Sequence, residues 1–265
     1  MTRSIDLNAD LGEDPAEEAR DKALMQHISS CNIACGGHAG DDGSMARMLR
    51  AAQEAGVATG AHPSYPDRKN FGRKTSAMPL PALIDSLIAQ VTRLEAVASR
   101  EGVRLSHIKP HGALYNDLAD QPAMSDAVAM ALHRAFPHLA LVGLAHGAFE
   151  QAARGAGARF VAEGFVDRGY TSARRLIPRS QPGALIADDE ARAAQALAIA
   201  TGEALKAGDG SLIHVIAQSL CIHSDSPGAE QTALRIAEVM ASKGIKIKAP
   251  GEMPDDAKPT DLLRR

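Results

Sequence analysis

A chain of 265 residues is about the size of one α/β barrel domain. Aromatic residues make up only 3% and Trp is absent, so the core must be built from aliphatic side chains, which argues against nucleic-acid modules that stack bases on aromatic rings. Its 29 basic and 32 acidic residues are mixed along the chain to a net charge of -3, and no basic tract points to a nucleic-acid or membrane partner.

Short β-type runs alternate with longer helical patterns. "SIDLNA" from Ser4 reads as the first strand, and "DPAE" after it as a helix start, with Asp14 as N-cap, Pro15 at N1 and Glu17 completing a capping box. "CNIAC" from Cys31 is the second strand. Met45, Met48, Leu49 and Ala52 form a helical stripe ending before Gly56. "VATGA" from Val57 is the third strand. Leu80, Leu83, Ile84, Leu87, Ile88, Val91 and Leu94 mark a long helix that stops near Gly102. "LSHIK" from Leu105, "LALVGL" from Leu139 and "RFVAE" from Arg159 are strands four to six. Asp188 opens a helix running to about Gly208, and "SLIHVIAQ" reads as an excursion outside the sheet. "SLCIH" from Ser219 is the seventh strand. Pro227 opens a helix to about Gly244, and "IKIK" from Ile245 is a candidate eighth strand.

Strand–helix alternation over a whole chain means a parallel sheet. No Gly- or Ser-rich linker and no repeat of 20–50 residues breaks it. The expected fold class is α/β: a single seven-stranded, distorted TIM-like β/α barrel over residues 1–250, followed by a loosely attached tail over 251–265. No apolar run reaches the ~18 residues of a membrane span. The N-terminus turns polar within six residues, so no signal peptide is expected, and the odd count of three cysteines predicts reduced thiols and a cytoplasmic protein.

Polar residues gather where strands end, which is where β/α barrels carry their catalytic groups. Asp6, Asn8 and Asp10 share one face of the first strand, because side chains alternate with period two. His38 follows the second strand and His62 ends the third. Lys109, His111, Tyr115 and Asn116 follow the fourth, and His146 the fifth. Glu163, Asp167 and Arg168 follow the sixth, and Cys221, His223 and Asp225 end the seventh.

The densest stretch is "CNIACGGHAGDD", Cys31 to Asp42. Cys31 and Cys35, four apart along a strand, lie too far apart for a disulfide. A zinc site on Cys31, Cys35 and His38 lacks a second CxxC. Two readings stay open: a metal held by Asp10, His38 and His62, and an anion cradle in which the glycines expose backbone N–H groups at a helix N-terminus. "FGRKTS" from Phe71 is not a P-loop, since Arg73 interrupts GK[ST], and neither a Walker motif nor GxGxxG occurs. If ATP takes part, another chain handles its phosphates.

"DLNADLGE", "NIACGGHAGD", "GAHPSYPD", "FGRK", "KPHGALYN", "VDRGY" and "CIHSDSP" together resemble, in order and over nearly the whole chain, the signatures of the LamB/YcsF-like family, the A component of 5-oxoprolinase. The resemblance implies a barrel of the glycoside hydrolase/deacetylase type. It also implies a protein that works with 5-oxoprolinase subunits B and C to open the lactam of 5-oxo-L-proline to L-glutamate at the expense of ATP. Ala9, Gly37, Asp42, Asn70, Lys74 and Ser224 depart from the family pattern, which bears on substrate preference more than on reaction type.

Chemistry then suggests roles. Asp10 would be general base on water, and His62 or His111 its acid–base partner. Lys109 would meet developing negative charge. Arg73 or Arg168 would clamp the substrate carboxylate. Asn8, Asn32, His38, Tyr115, Asp167, His223 and Asp225 would line the pocket. Two other readings use the same residues: a stand-alone metal-dependent amide hydrolase or deacetylase with Asp10, His38 and His62 as ligands, and a non-catalytic subunit that only binds 5-oxoproline.

Overall fold

Seven parallel strands close on themselves. The computed structural model describes residues 3–224 and 228–252. Strand β1 (Ser4–Leu11) pairs with β2 (Ser30–Ala34), and the ladder continues through β3 (Ala58–His62), β4 (Leu105–Ile108), β5 (Ala140–Leu144) and β6 (Phe160–Phe165). The chain then leaves the barrel as an antiparallel hairpin, β7 (Ala204–Lys206) and β8 (Leu212–His214), the expected excursion. It returns as β9 (Ser219–Ile222), which pairs with β6 on one side and with β1 on the other. The short β10 (Lys246–Ile247) is not an eighth stave. It pairs only with Ser4 and Ile5, because β9 already occupies Asp6 to Ala9.

Helices α1 (Glu18–Met25), α2 (Asp42–Ala55), α3 (Leu80–Arg100), α4 (Gly112–Asp120), α5 (Pro122–Ala135), α6 (Ala148–Gly155), α7 (Asp189–Thr201) and α8 (Ala229–Ser242) complete the fold. The stripe read in the sequence of α3 is its buried face: Leu83, Leu87, Val91 and Leu94 are all within 2% of full burial. Buried Met45, Met48 and Leu49 do the same for α2. Among the described residues no helix is long and apolar enough to cross a membrane.

Two local expectations about helix ends are corrected. Asp14 caps only a 3-10 turn, Pro15–Glu17, accepting from the Ala16 N–H, while Glu17 pairs with Arg20, so no capping box forms there. The capping box stands instead at α2, between Asp41 and Ser44. Helix α7 ends at Gly202, whose φ of 77° terminates it well before Gly208. The cysteines are free and buried, as expected. Pro227 and most of the expected tail lie outside the described residues; Pro250–Glu252 form a final 3-10 turn.

The barrel interior is polar at its centre, where many β/α barrels carry aliphatic layers. Asp6 and Asn8 from β1, Asn32 from β2, His107 from β4, Glu163 from β6 and Ser219 from β9 are all buried. Each finds a partner across the barrel, which is the condition for burying them.

Candidate functional site

At the carboxyl ends of the strands lies a cavity of about 510 Å³, a size suited to a small molecule. Its floor is the interior network. The Asn8 amide donates to Glu163 Oε1 (2.8 Å) and to Ser219 Oγ (2.7 Å), and its oxygen accepts from Asn32 (2.8 Å) and Lys109 (3.1 Å). Asn32 also donates to Asp10 Oδ1 (2.8 Å) and sits 2.7 Å from His107 Nε2. Gly60 makes room for this imidazole: a Cβ there would fall 2.2 Å from His107 Nε2.

Lys109 is the hub above that floor. Its ammonium lies 3.0 Å from Asp10 Oδ1 and 2.9 Å from Glu163 Oε1, and also donates to Cys221 Sγ at 3.2 Å. Burial opposes its charge, but the carboxylates outweigh burial and hold its pKa well above the ordinary lysine range. Burial likewise opposes ionisation of Asp10, and His62 and Lys109 overcome it, holding this carboxyl well below its usual range. Asp10 is thus a carboxylate at the cavity wall, with His62 Nε2 3.3 Å from its Oδ2.

Beside it stands an imidazole–carboxylate cluster. Strand β1 ends at Leu11, and Gly12, with φ 73°, turns the chain so that Glu13 points back into the barrel mouth. Glu13 Oε1 lies 2.9 Å from His38 Nε2, 3.2 Å from His111 Nδ1 and 3.8 Å from His62 Nε2. His111 Nδ1 and His62 Nε2 face each other at 3.0 Å. His38 stacks on His111, centroids 3.6 Å apart and planes within 4°, with Phe71 edge-on at 5.2 Å. Burial pushes the His38 pKa down to about 4, whereas Asp10 and Glu13 overcome the same effect at His62 and raise it.

Two backbone carbonyls fix the tautomers. His62 Nδ1 donates to Lys109 O (2.7 Å) and His111 Nε2 donates to Phe71 O (2.9 Å), since a carbonyl can only accept. In the neutral rings, His62 Nε2 and His111 Nδ1 are therefore lone pairs, and neither presents an N–H to the cavity.

The rim is rich in arginine, with Asp117 and Asp120 among them, and comes largely from residues 166–188, an irregular connection held by bridges between Arg168 and Leu185 and between Tyr170 and Leu176. Arg73, Arg168, Arg175 and Arg179 all line the cavity. Arg168 donates from Nε to Ala184 O (3.1 Å) and from one Nη to Ile177 O (2.6 Å), so two of its donors shape this connection. Arg73 lies over the Phe71 ring at 4.9 Å. Tyr115 donates its hydroxyl to Glu163 Oε2 (2.7 Å), and His223 Nδ1 meets both Asp167 oxygens at 2.9 Å.

Asp10, His62, Lys109, His111, Arg73, Tyr115, Arg168 and His223 thus reach the cavity wall. Asn8, Asn32 and Asp167 were expected to line it and instead lie beneath it, buried under side chains they orient. His38 does not face the cavity but backs His111. Asp225 lies outside the described residues. His146 is elsewhere, its Nε2 accepting from Ile216 N. The anion cradle left open at "CGGHAGDD" does not form: the Asp41 carboxylate caps the α2 N-terminus, Gly36 N–H bonds Ala39 O, and Arg68 takes the carbonyls of Gly36 and Gly40. Glu13 and His107 were not among the expected site residues, and Glu163 was placed at a strand end without a role. For His107 a signal existed, since it shares a strand face with Lys109, two residues on. Glu13 had none, because Gly12 breaks the alternation.

A closed parallel β/α barrel with a carboxylate, lysine and imidazole cluster in a cavity at the strand C-termini has the layout of a barrel enzyme. The chain belongs to the LamB/YcsF family, whose model matches residues 5–255. It is similar to the crystal structure of a lactam utilization protein from Thermus thermophilus, with 38% identity over 93% of this chain and 99% of that one, and a TM-score of 0.86. Weaker likeness extends to a family 4 carbohydrate esterase from Streptomyces lividans in complex with acetate (14% identity, 92% of this chain and 91% of that one, TM-score 0.49). It extends too to the peptidoglycan deacetylase PdaC from Bacillus subtilis (8%, 98% and 91%, TM-score 0.47). Likeness at that level says nothing of the chemistry.

Proposed function

We propose that this chain is the ring-opening component of an ATP-dependent 5-oxoprolinase, working with partner subunits B and C to convert 5-oxo-L-proline to L-glutamate. Family membership and the 38% identical lactam utilization protein support a lactam as substrate. The observation that carries the reading is Asp10: a carboxylate kept ionised by His62 and buried Lys109 and exposed to a cavity of small-molecule size.

An unstrained five-membered lactam is a poor electrophile. Phosphoryl transfer from ATP to the amide oxygen makes the ring carbon attackable by water and leaves a good leaving group. We place that transfer on the partner subunits, a division of labour motivated by the lack of a Walker motif in this sequence. Here Asp10 takes a proton from water as it attacks the ring carbon, and the C–N bond of the adduct breaks with that proton passing to the departing amine; the acyl phosphate so formed is hydrolysed by a second water to L-glutamate and inorganic phosphate. Lys109 acts through Asp10 and Glu163, since its donors are committed to them, and so positions the base instead of meeting the oxyanion. Arg73, at the cavity edge, clamps the substrate carboxylate, with His62, His111, Tyr115 and His223 as walls.

The test is glutamate release from 5-oxo-L-proline and ATP by the partner subunits, with this chain present or omitted. Release is expected only with the chain, and Asp10→Asn should lower turnover by about 10²–10⁴-fold while leaving the circular dichroism spectrum unchanged. No release with competent partners would sink the reading.

A further inference from the structure

Glu13 Oε1, His38 Nε2, His62 Nε2 and His111 Nδ1 come from four different strand ends and all lie within 4.8 Å of one another. Four of their separations are 2.9, 3.0, 3.2 and 3.8 Å. A zinc-sized ion with bonds of about 2.0–2.1 Å in tetrahedral geometry sets its donors roughly 3.3 Å apart, in the middle of that range.

The tautomers make the same demand. Lys109 O and Phe71 O each take the outer N–H of one imidazole, so His62 Nε2 and His111 Nδ1 face each other at 3.0 Å with a carboxylate oxygen beside both. Two such nitrogens hold together only with something positive between them, a proton on His62 or a metal ion in its place. Orientation of a ring through an N–H···O=C bond on its far nitrogen is the arrangement that metal-binding histidines use. Charge points the same way. The carboxylates of Asp10, Glu13 and Glu163 converge here, and among the described residues one ammonium, that of Lys109, is in contact with any of them.

We propose that Glu13, His38, His62 and His111 form a binding site for one divalent transition-metal ion of the zinc class. The donor set, three imidazoles and a carboxylate, suits Zn²⁺ and Co²⁺ better than Mg²⁺ or Ca²⁺, which prefer oxygen. The ligand set differs from the Asp10, His38 and His62 expected from the sequence: Asp10 contacts only His62 of the cluster and stays available as a base beside the ion. Glu13, His62 and His111 also belong to the cavity wall, so the ion can be reached from the cavity, where it would polarise a lactam oxygen or a water.

The full-length chain, stripped with chelator and dialysed, is titrated with Zn²⁺ by calorimetry, and separately loaded with Co²⁺ for its visible spectrum. The expected result is one equivalent of saturable Zn²⁺, a Zn²⁺-dependent rise in Tm, and a Co²⁺ band typical of nitrogen and oxygen ligands in a four- or five-coordinate site. Glu13→Gln and His38→Ala should each weaken Zn²⁺ binding by at least ~10-fold. His138→Ala, which alters a surface pair with Glu95, should leave it unchanged. Absence of saturable Zn²⁺ binding by the wild-type chain, or binding equally tight in folded Glu13→Gln and His38→Ala, would overturn the proposal. If those variants do not fold, the wild-type stoichiometry and the Co²⁺ spectrum decide it. Because no turnover is read, failure here leaves the ring-opening reading standing, and failure of glutamate release leaves the metal site standing.

Discussion

Lys109, at 2% exposure, sits between Asp10 and Glu163 with every donor engaged, and its removal should be felt twice. Lys109→Met keeps much of the stem but strands buried Glu163 without a counter-charge and leaves Asp10 with His62 alone. The expected cost is about 3–5 kcal/mol, read from the urea midpoint, together with loss of lactam opening in the reconstituted assay. Residues of this kind were legible in the sequence wherever strand alternation carried them. Asp10 follows Asn8 and Asp6 at period two, and Lys109 and His111 stand at a strand exit. Legibility stopped where one backbone angle changed the direction of a side chain. Glu13 is one residue past a glycine at φ 73°, and nothing in residue type announces that it turns inward. Cys31 and Cys35 were legible in the other sense: burial raises both thiols, Cys35 to about 12, so neither is a nucleophile.

Elements show the same division. The α3 stripe and the Gly56 stop of α2 were read correctly because each depends on contacts within a few turns. The capping box at Asp14 failed because Glu17 finds Arg20, and α7 stops at Gly202 because the next residues are drawn into the β7–β8 hairpin. Strand β3 carries the element-scale prediction. Gly60 pairs in register with His107, and a methyl group would meet that imidazole at 2.2 Å. Gly60→Ala must push His107 off Asn32 or move the strand, at about 1–3 kcal/mol, so Tm should fall by several degrees. An unchanged Tm would mean that the interior is looser than its hydrogen bonds imply.

At the scale of the molecule, barrel closure buries Asp6 under Ser29, Ser30 and Ser219, which donate to it. Burial dominates those bonds and pushes its pKa up from 3.8 to about 6. The native state therefore holds a proton on Asp6 between pH ~4 and ~6 that the unfolded chain has released, so this group's contribution to stability falls as pH rises through that window. His38 and His107, pushed down to about 4 and 3 by burial, act in the opposite sense over the same range, so the prediction is a difference. Wild-type stability minus that of Asp6→Asn should drop by about 3 kcal/mol from pH 4 to pH 7 in urea unfolding, and a flat difference would refute it. Closure is also where sequence and structure part company. Strand and helix order, the α3 and α2 faces and the polar strand exits are local properties, written by side-chain periodicity and by glycine and proline at turns, so the sequence alone determined the β/α alternation and its seven staves. Which residues meet across the barrel depends on register and on strands far apart in the chain. Asp6 meets Ser219, and Glu13 meets His38, His62 and His111, through pairings that no local pattern encodes. Tertiary structure alone decided them, because a closed ring of strands brings its ends together only once every intervening strand has taken its place.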